Sequence, residues 1–376
     1  MNKQVGVIGG GQLAWMMGAE APRLDIKLMV QTPSHNDPAV GRAQEIVLAA
    51  INDAEATAKL ASICDIITFE NEFIDLPALR SLASKGVCFR PSLDTLAPLL
   101  DKYEQRNYLQ GIDAPVPQFS LWSSEALVIE NYGFPLVLKA RRHGYDGRGT
   151  FIIKDQQELQ NLSRTVPLAE LLVEEFIPFE RELGIIAARN PAGDIAIYPV
   201  TETYQKNQVC HWTITPADVT KAVATEVAAI ARKILESLSV VGVFGIEFFL
   251  TKDNRVLVNE IAPRTHNSGH YTLDGCQTSQ FAMQLQAVTG MNLGSTALKS
   301  TGALMVNLLG FEASDSDYQE QRDRILQIPH SFLHWYGKTS RPGRKLGHVT
   351  VLLNSEQLIK AQSLIQEIES IWYPSP

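Results

Sequence analysis

Residues 256 to 268, VLVNEIAPRTHNS, constrain this chain more than any other stretch. An apolar, β-branched run carries one carboxylate, Glu260, and breaks at Pro263 into a polar segment holding Arg264, His266, Asn267 and Ser268. Just upstream, FGIEFFLTKDNRVLVNE supplies two strand-like runs joined by Lys252-Asp253-Asn254-Arg255, the pattern of a β-hairpin. With Asp253 and Asn254 as a two-residue turn, Glu247 stands opposite Glu260, and Phe249 and Val258 share their face. Carboxylates so paired have Cβ atoms about 5 Å apart and repel each other. A hard divalent cation such as Mg²⁺, shared with substrate phosphates, would turn that repulsion into a site; the bland alternative is a solvated pair.

The rest of the chain bounds what this hairpin can serve. At 376 residues the chain suggests two or three domains, and 45% hydrophobic with 20% charged residues is the balance of a globular protein. A net charge of -8 offers no global field for a nucleic-acid backbone, so any basic patch is local and ligand-sized. No run approaches the roughly 18 apolar residues of a membrane span. The opening MNKQVGVIGG enters a strand at once, without the features of a signal peptide. Cys64, Cys88, Cys210 and Cys276 are scattered without a C-x-x-C pair. A cytoplasmic protein with reduced thiols is expected.

Taken in order, residues 4 to 8 read as a buried strand, followed by Gly9-Gly10-Gly11-Gln12 and an apolar helix from about Leu13. Further strands fit at 26 to 31, 46 to 49, 64 to 69 and 87 to 89, separated by helical stretches, so the first hundred residues predict a doubly wound α/β domain on a parallel sheet. The glycine turn with Leu13-Ala14 satisfies the loose G-x-G-x-x-G/A fingerprint. Gln31-Thr32-Pro33, however, stands where a nicotinamide-binding fold has its acidic ribose ligand, which disfavours a dehydrogenase. The turn is read as an anion or phosphate cradle at a helix N-terminus, or as a turn needed for packing alone. Glu70, ending CDIITFE, lies where open α/β sheets bind ligands and could meet sugar hydroxyls.

Residues 93 to 111 look helical, and GIDAPVPQ places a domain boundary between about 95 and 118. FPLVLKA then ends at Lys139 and TFIIK begins at Thr150. Between them Arg141, Arg142, Gly144, Tyr145, Asp146, Gly147, Arg148 and Gly149 form a flap whose backbone and guanidinium groups can reach phosphate oxygens. A P-loop is absent. Glu174-Glu175-Phe176-Ile177 is a Pro-bounded hinge before a strand that begins near Glu182, suited to an adenine edge and a ribose. Val219, Val223, Val227, Ile230 and Ile234 mark a helix over 217 to 238 whose stripe is core. Beyond about 300, three strands suggest a smaller β-rich element, closed by a helix at 355 to 369. Its loop carries Lys338, Arg341, Arg344 and Lys345, either solvated or phosphate-binding.

A phosphate flap with a lysine, an adenine-type hinge and paired carboxylates resemble the ATP-grasp superfamily. GGGQL, FENE, HGYDGRG, NEIAPRTHNSGH and RPGRKLGH narrow the resemblance to the 5-(carboxyamino)imidazole ribonucleotide synthases of purine biosynthesis. The resemblance implies ATP-grasp architecture: an N-terminal α/β domain over 1 to 100, a linker helix and flap domain over 101 to 176, and a C-terminal antiparallel-sheet domain over 177 to 376. It implies a cytoplasmic homodimer that uses ATP, bicarbonate and 5-aminoimidazole ribonucleotide and forms carboxyphosphate on the way.

The same resemblance assigns roles. Mg²⁺ would sit on Glu247 and Glu260. Lys102, Lys139, the 144 to 150 loop, Glu174 to Ile177, Glu182 and Asn259 would hold ATP, with His211 on the nucleotide side. Arg264, His266, Asn267, Ser268, Asp146, Arg148 and Lys345 would surround bicarbonate. Gly11, Gln12, Leu13, Glu70, Lys338, Arg341 and Arg344 would hold the ribonucleotide. Two departures stand out: Lys102 where relatives have Arg, and Glu175 where they often have Lys. A related ATP-grasp enzyme, such as a formate-using glycinamide ribonucleotide transformylase or a biotin carboxylase, and a non-catalytic nucleotide-binding module are the competing readings.

Overall fold

The computed structural model describes residues 3–142 and 149–373. The first sheet is parallel and four-stranded, ordered Glu45–Leu48, Ile26–Thr32, Lys3–Ile8, Ile66–Phe69. Val5, Val7 and Ile8 have no exposure, because the central strand of a parallel sheet is covered on both faces. Residues 87 to 89 differ from expectation: they form no strand and pair with the sheet through one bridge, between Phe89 and Ile67.

A second four-stranded sheet is antiparallel, ordered Phe119–Leu121, Leu171–Glu175, Leu136–Ala140, Thr150–Ile153. It closes over the edge of the third and largest sheet, whose path runs Val256–Ala262, Gly242–Thr251, Phe179–Arg189, Thr201–Lys206, Val209–Thr215, Gly302–Leu309, Lys345–Leu353, Ser331–Trp335. The three strands expected to form a separate β-rich element thus continue this sheet: Gly302–Leu309 pairs directly with Val209–Thr215. The terminal helix divides at Lys360 into Ser355–Ile359 and Ala361–Trp372.

The helix Lys221–Ser237 starts where the Thr220 side chain accepts from the Val223 N–H, leaving Val219 outside it. Val223, Val227, Ile230 and Ile234 pack against Leu183, Ile185 and Phe244 of the large sheet. Each such fully buried aliphatic side chain contributes about 1.5–3 kcal/mol. The segment expected to be one helix over 93 to 111 breaks at Asp101, whose carboxylate caps the new helix Lys102–Gly111. That helix carries Lys102 to Glu260 and Arg106 to Glu174 and Asn259.

The helix Gln280–Thr289 packs between the first sheet and the largest one. Phe281, Leu285 and Val288 pack with Val5, Val7 and Leu13, and Gln284 Nε2 donates to Thr68 Oγ1 at 2.8 Å. Among the described residues no helix is long and apolar enough to cross a membrane.

Candidate active site

The hairpin does pair Glu247 with Glu260, although its turn is not the one expected. The Thr251 N–H donates to the Arg255 carbonyl at 3.0 Å, so the turn has three residues, Lys252 to Asn254, with Asn254 left-handed at φ 61°. Distal pairs shift accordingly: Phe249 faces Leu257, and Val258 lies in the opposite, core face beside Phe248 and Leu250. The register then slips between Glu247 and Phe248, opposite Asn259. This bulge restores the Glu247 to Glu260 pairing and lets the successive residues Asn259 and Glu260 both line one cleft, which a regular strand forbids.

The cleft has a volume of about 1170 Å³ and is walled by the second and third sheets and by Gln12, Leu13 and residues 70 to 77 at the end of the first. Three carboxylates stand on neighbouring strands: Glu260, Glu247, and Glu182, which is paired with Phe249. Burial and the neighbouring Glu260 push the Glu247 carboxyl up to about 7, and burial and Glu247 push Glu182 up to about 8. Lys102 Nζ lies 2.9 Å from Glu260 Oε1, and burial is outweighed by this lysine, which holds Glu260 below its ordinary value. The paired carboxylates Glu247 and Glu260 offer the oxygen donors that suit a hard divalent cation, with Lys102 already set against Glu260. Phe179 stacks on Phe249 at 4.8 Å beside them, giving the cleft a flat apolar wall.

Glu174, expected at the hinge, has its side chain committed elsewhere. Arg106 Nε lies 2.6 Å from its Oε1 and Lys139 Nζ 2.8 Å from its Oε2. Burial opposes ionisation, but these two cations bring Glu174 down to about 2. The Asn259 carbonyl accepts from Arg106 Nη2 at 2.6 Å, and Asn259 Oδ1 from Lys139 Nζ at 3.1 Å. Arg106 escaped the sequence reading; its signal was the four-residue spacing from Lys102 on one helical face. Glu175 Oε1 accepts from the Gln118 N–H at 2.8 Å. Glu175, Phe176, Ile177 and Thr150 line the cleft with Lys139. Gly149 is left-handed at φ 83° and its carbonyl accepts from the Ala140 N–H. Gly144, Tyr145, Asp146, Gly147 and Arg148 lie outside the described residues.

The acceptor segment is gathered by close approaches. A Cβ at Gly245 would lie 2.3 Å from the His266 Cβ, so only glycine there lets the loop seat on the sheet. Arg264, His266, Asn267 and Lys345 line the cleft. Arg264 Nε is 2.9 Å from Glu72 Oε1. Ser268 does not reach the cleft: it is buried, and its Oγ lies 2.9 Å from His266 Nδ1, orienting that ring. The Asn267 amide exchanges two hydrogen bonds with Asn307, at 3.0 and 2.7 Å, and so fixes the loop.

The glycine turn is corrected in its occupant. The N–H groups of Gly11 and Leu13 donate to Glu70 at 2.6 and 3.0 Å, so the helix N-terminus expected to cradle a phosphate is filled by the chain's own carboxylate. A Cβ at Gly11 would lie 2.4 Å from Glu70 Oε1, which is why glycine is required. Gln12, Leu13 and Glu70 still line the cleft, and Lys338 bonds Gln12. Burial lowers Lys338 to about 8. Arg341 is exposed and Arg344 Nη1 donates to the Thr339 carbonyl at 2.9 Å, both off the cleft wall. His211 is not brought to the cleft either: strand alternation turns it to the opposite face, where it lines a separate hollow 3.7 Å from Glu369.

Comparison with known proteins follows the same division. Residues 1–98 match the ribonucleotide synthetase preATP-grasp domain, residues 107–281 the ATP-grasp domain, and residues 303–362 the phosphoribosylaminoimidazole carboxylase C-terminal domain. The N5-carboxyaminoimidazole ribonucleotide synthase of Synechocystis sp. is 55% identical over 383 residues, covering 98% of each chain. Among solved structures, the Thermotoga maritima synthetase shares 38% identity at a TM-score of 0.86, covering 98% of each chain. The Aspergillus clavatus synthase, in complex with ADP and 5-aminoimidazole ribonucleotide, shares 31% at a TM-score of 0.91, again covering 98% of each. The chain belongs to the N5-carboxyaminoimidazole ribonucleotide synthase family of ATP-grasp ligases.

Proposed function

We infer that this chain carboxylates 5-aminoimidazole ribonucleotide with bicarbonate at the expense of ATP, giving N5-carboxyaminoimidazole ribonucleotide, ADP and phosphate in purine biosynthesis. One observation carries the reading: a single cleft joins Lys139, the 174 to 177 hinge and the Glu182, Glu247, Glu260 row to Arg264, His266 and Lys345, and then to Gln12 and Glu70.

Lys139 and the flap residues 144 to 150 hold the ATP phosphates, the 174 to 177 backbone meets the adenine, and Glu182 accepts from ribose hydroxyls. Glu247 and Glu260 would hold Mg²⁺, which would supply neutralisation of phosphate charge during phosphoryl transfer. Arg264 and Lys345 set a bicarbonate oxygen in line with the γ-phosphorus, since a guanidinium fork matches a planar carboxylate. Transfer gives carboxyphosphate and ADP. The ribonucleotide amine then bonds to the carboxyl carbon, phosphate leaves, and the amine loses a proton. Lys338, with Gln12, Leu13 and Glu70, positions the ribonucleotide, while Arg341 and Arg344 attract its phosphate from the rim. The protein works as a cytoplasmic homodimer, whose mass light scattering would give as twice that of the chain.

The experiment is phosphate release. With Mg²⁺, ATP and bicarbonate the protein releases phosphate slowly, and aminoimidazole ribonucleotide accelerates it. Stimulation by glycinamide ribonucleotide instead would sink the assignment.

A further inference from the structure

The motif that carries Arg264 and His266 holds a second histidine, His270, which is fully enclosed yet lines the cleft. Its Nδ1 lies 3.2 Å from Gln280 Nε2. The orientation of that amide is set by His266, whose N–H donates to Gln280 Oε1 at 2.9 Å and whose carbonyl accepts from Gln280 Nε2 at 2.7 Å. Gln280 therefore presents an N–H to the imidazole, Nδ1 is the acceptor, and the ring proton sits on Nε2. That Nε2 has no partner among the described residues.

Among the described residues no acceptor lies within hydrogen-bonding distance of that nitrogen, and the neighbouring His348 Nε2 is likewise unpartnered. The rings of Phe281 and His348 pack against it, with centroids at 5.6 and 5.0 Å. The charged and titratable groups that act on it, Lys345, His266, His334 and Arg264, all oppose its protonation. His348 is itself fixed by the Tyr336 hydroxyl at 2.7 Å and stacks on His334, which is held by Asp274 at 2.8 Å, so the imidazole has a rigid backing. A buried donor left unmatched is rare and costly. One placed at a cleft wall among cationic side chains calls for an anionic oxygen brought by the ligand.

Resting on the carboxylation reading above, we propose that His270 is a further substrate-contacting residue, donating Nε2–H to an oxygen of bicarbonate and then of carboxyphosphate held beside Arg264 and Lys345. Burial and the neighbouring cations keep the imidazole well below its ordinary pKa. It therefore stays neutral, giving a hydrogen bond without surrendering a proton and adding no charge to an already cationic pocket.

The test is a variant series with bicarbonate and ATP titrated separately. His270→Phe raises the bicarbonate KM about 10- to 100-fold, as expected for losing a hydrogen bond to a charged group, and leaves the ATP KM within about twofold. His270→Gln, whose amide nitrogen reaches the Nε2 position, recovers most of the loss; His270→Asn, whose amide replaces Nδ1, does not. Wild-type bicarbonate kinetics in His270→Phe would overturn the proposal.

Should that variant not fold, ¹⁵N-histidine NMR on the wild-type protein decides. The Nε2–H tautomer in the free protein, with a signal that moves on adding bicarbonate with ADP, supports the contact; an Nδ1–H tautomer or an unmoved signal refutes it. Wild-type protein lacking ribonucleotide-stimulated phosphate release overturns the carboxylation reading, and the NMR arm then decides the bicarbonate contact by itself.

Discussion

Glu174 and Glu247 are carboxylates of one cleft in opposite electrical states. Glu174 has two cations within 3 Å and is drawn down to about 2; Glu247 faces another carboxylate and is pushed up to about 7. Burial raises both, so the difference comes from the partners. The saturated carboxylate has nothing left to offer a ligand and serves to hold Lys139 and Arg106. The undersupplied one, with Glu182 behind it, awaits positive charge and hydroxyl donors from outside the chain.

The comparison can be broken in four places. The largest effect is expected at Glu260→Gln, which removes half of the cation site: turnover falls on the order of 10³-fold or more while the melting temperature holds, and an active variant would refute the paired site. Arg106→Met attacks the saturated side. It leaves Glu174 short of a buried partner and costs about 3–5 kcal/mol in denaturant unfolding, with a raised ATP KM through a displaced Lys139. A loss below about 1 kcal/mol would show that Arg106 is dispensable to the cluster.

Thermal stability against pH tests the undersupplied side. Folded-state values raised to about 7 and about 8 mean that the contribution of Glu247 and Glu182 is fully present below their unfolded pKa of about 4.3 and is lost as pH rises through 7 and 8. Without divalent cation the Tm should therefore decline from about pH 4 to about pH 8 and level off above that. Glu247→Gln should flatten that decline, and Mg²⁺ with ADP should do the same. The smallest effect belongs to Glu175→Lys. Its side chain bonds only the backbone at Gln118 near the surface, so stability should move by about 0.5 kcal/mol or less and the ATP KM should barely change.

Much of this was legible in the amino-acid order, for reasons that differ by residue. The Glu247 to Glu260 pairing was anticipated with the wrong turn, because a three-residue turn and a bulge at Asn259 offset one another; VLVNE looks like ordinary strand alternation and hides the bulge. Arg106 was missed because its partners lie 68 and 153 residues away. The glycine turn was read as open to phosphate because nothing in GGGQL tells that Glu70, 59 residues on, closes it. Ser268 was assigned with its motif and His211 as an isolated histidine carried over from the family, whereas their loop and strand turn them away from the cleft. The ATP-grasp architecture was clear from the order of its blocks, and the continuous large sheet was not, since strand order is set by long-range pairing.

The bulge at Asn259 also bears on any attempt to redesign this scaffold. Regularising the hairpin by deleting Asn259 would satisfy every rule for a well-formed sheet and leave Glu260 opposite Glu247, but it would remove the carbonyl and the amide oxygen that receive Arg106 and Lys139. The defect in the ladder is thus what keeps two consecutive polar residues on the working side, and a tidier protein would be an inert one.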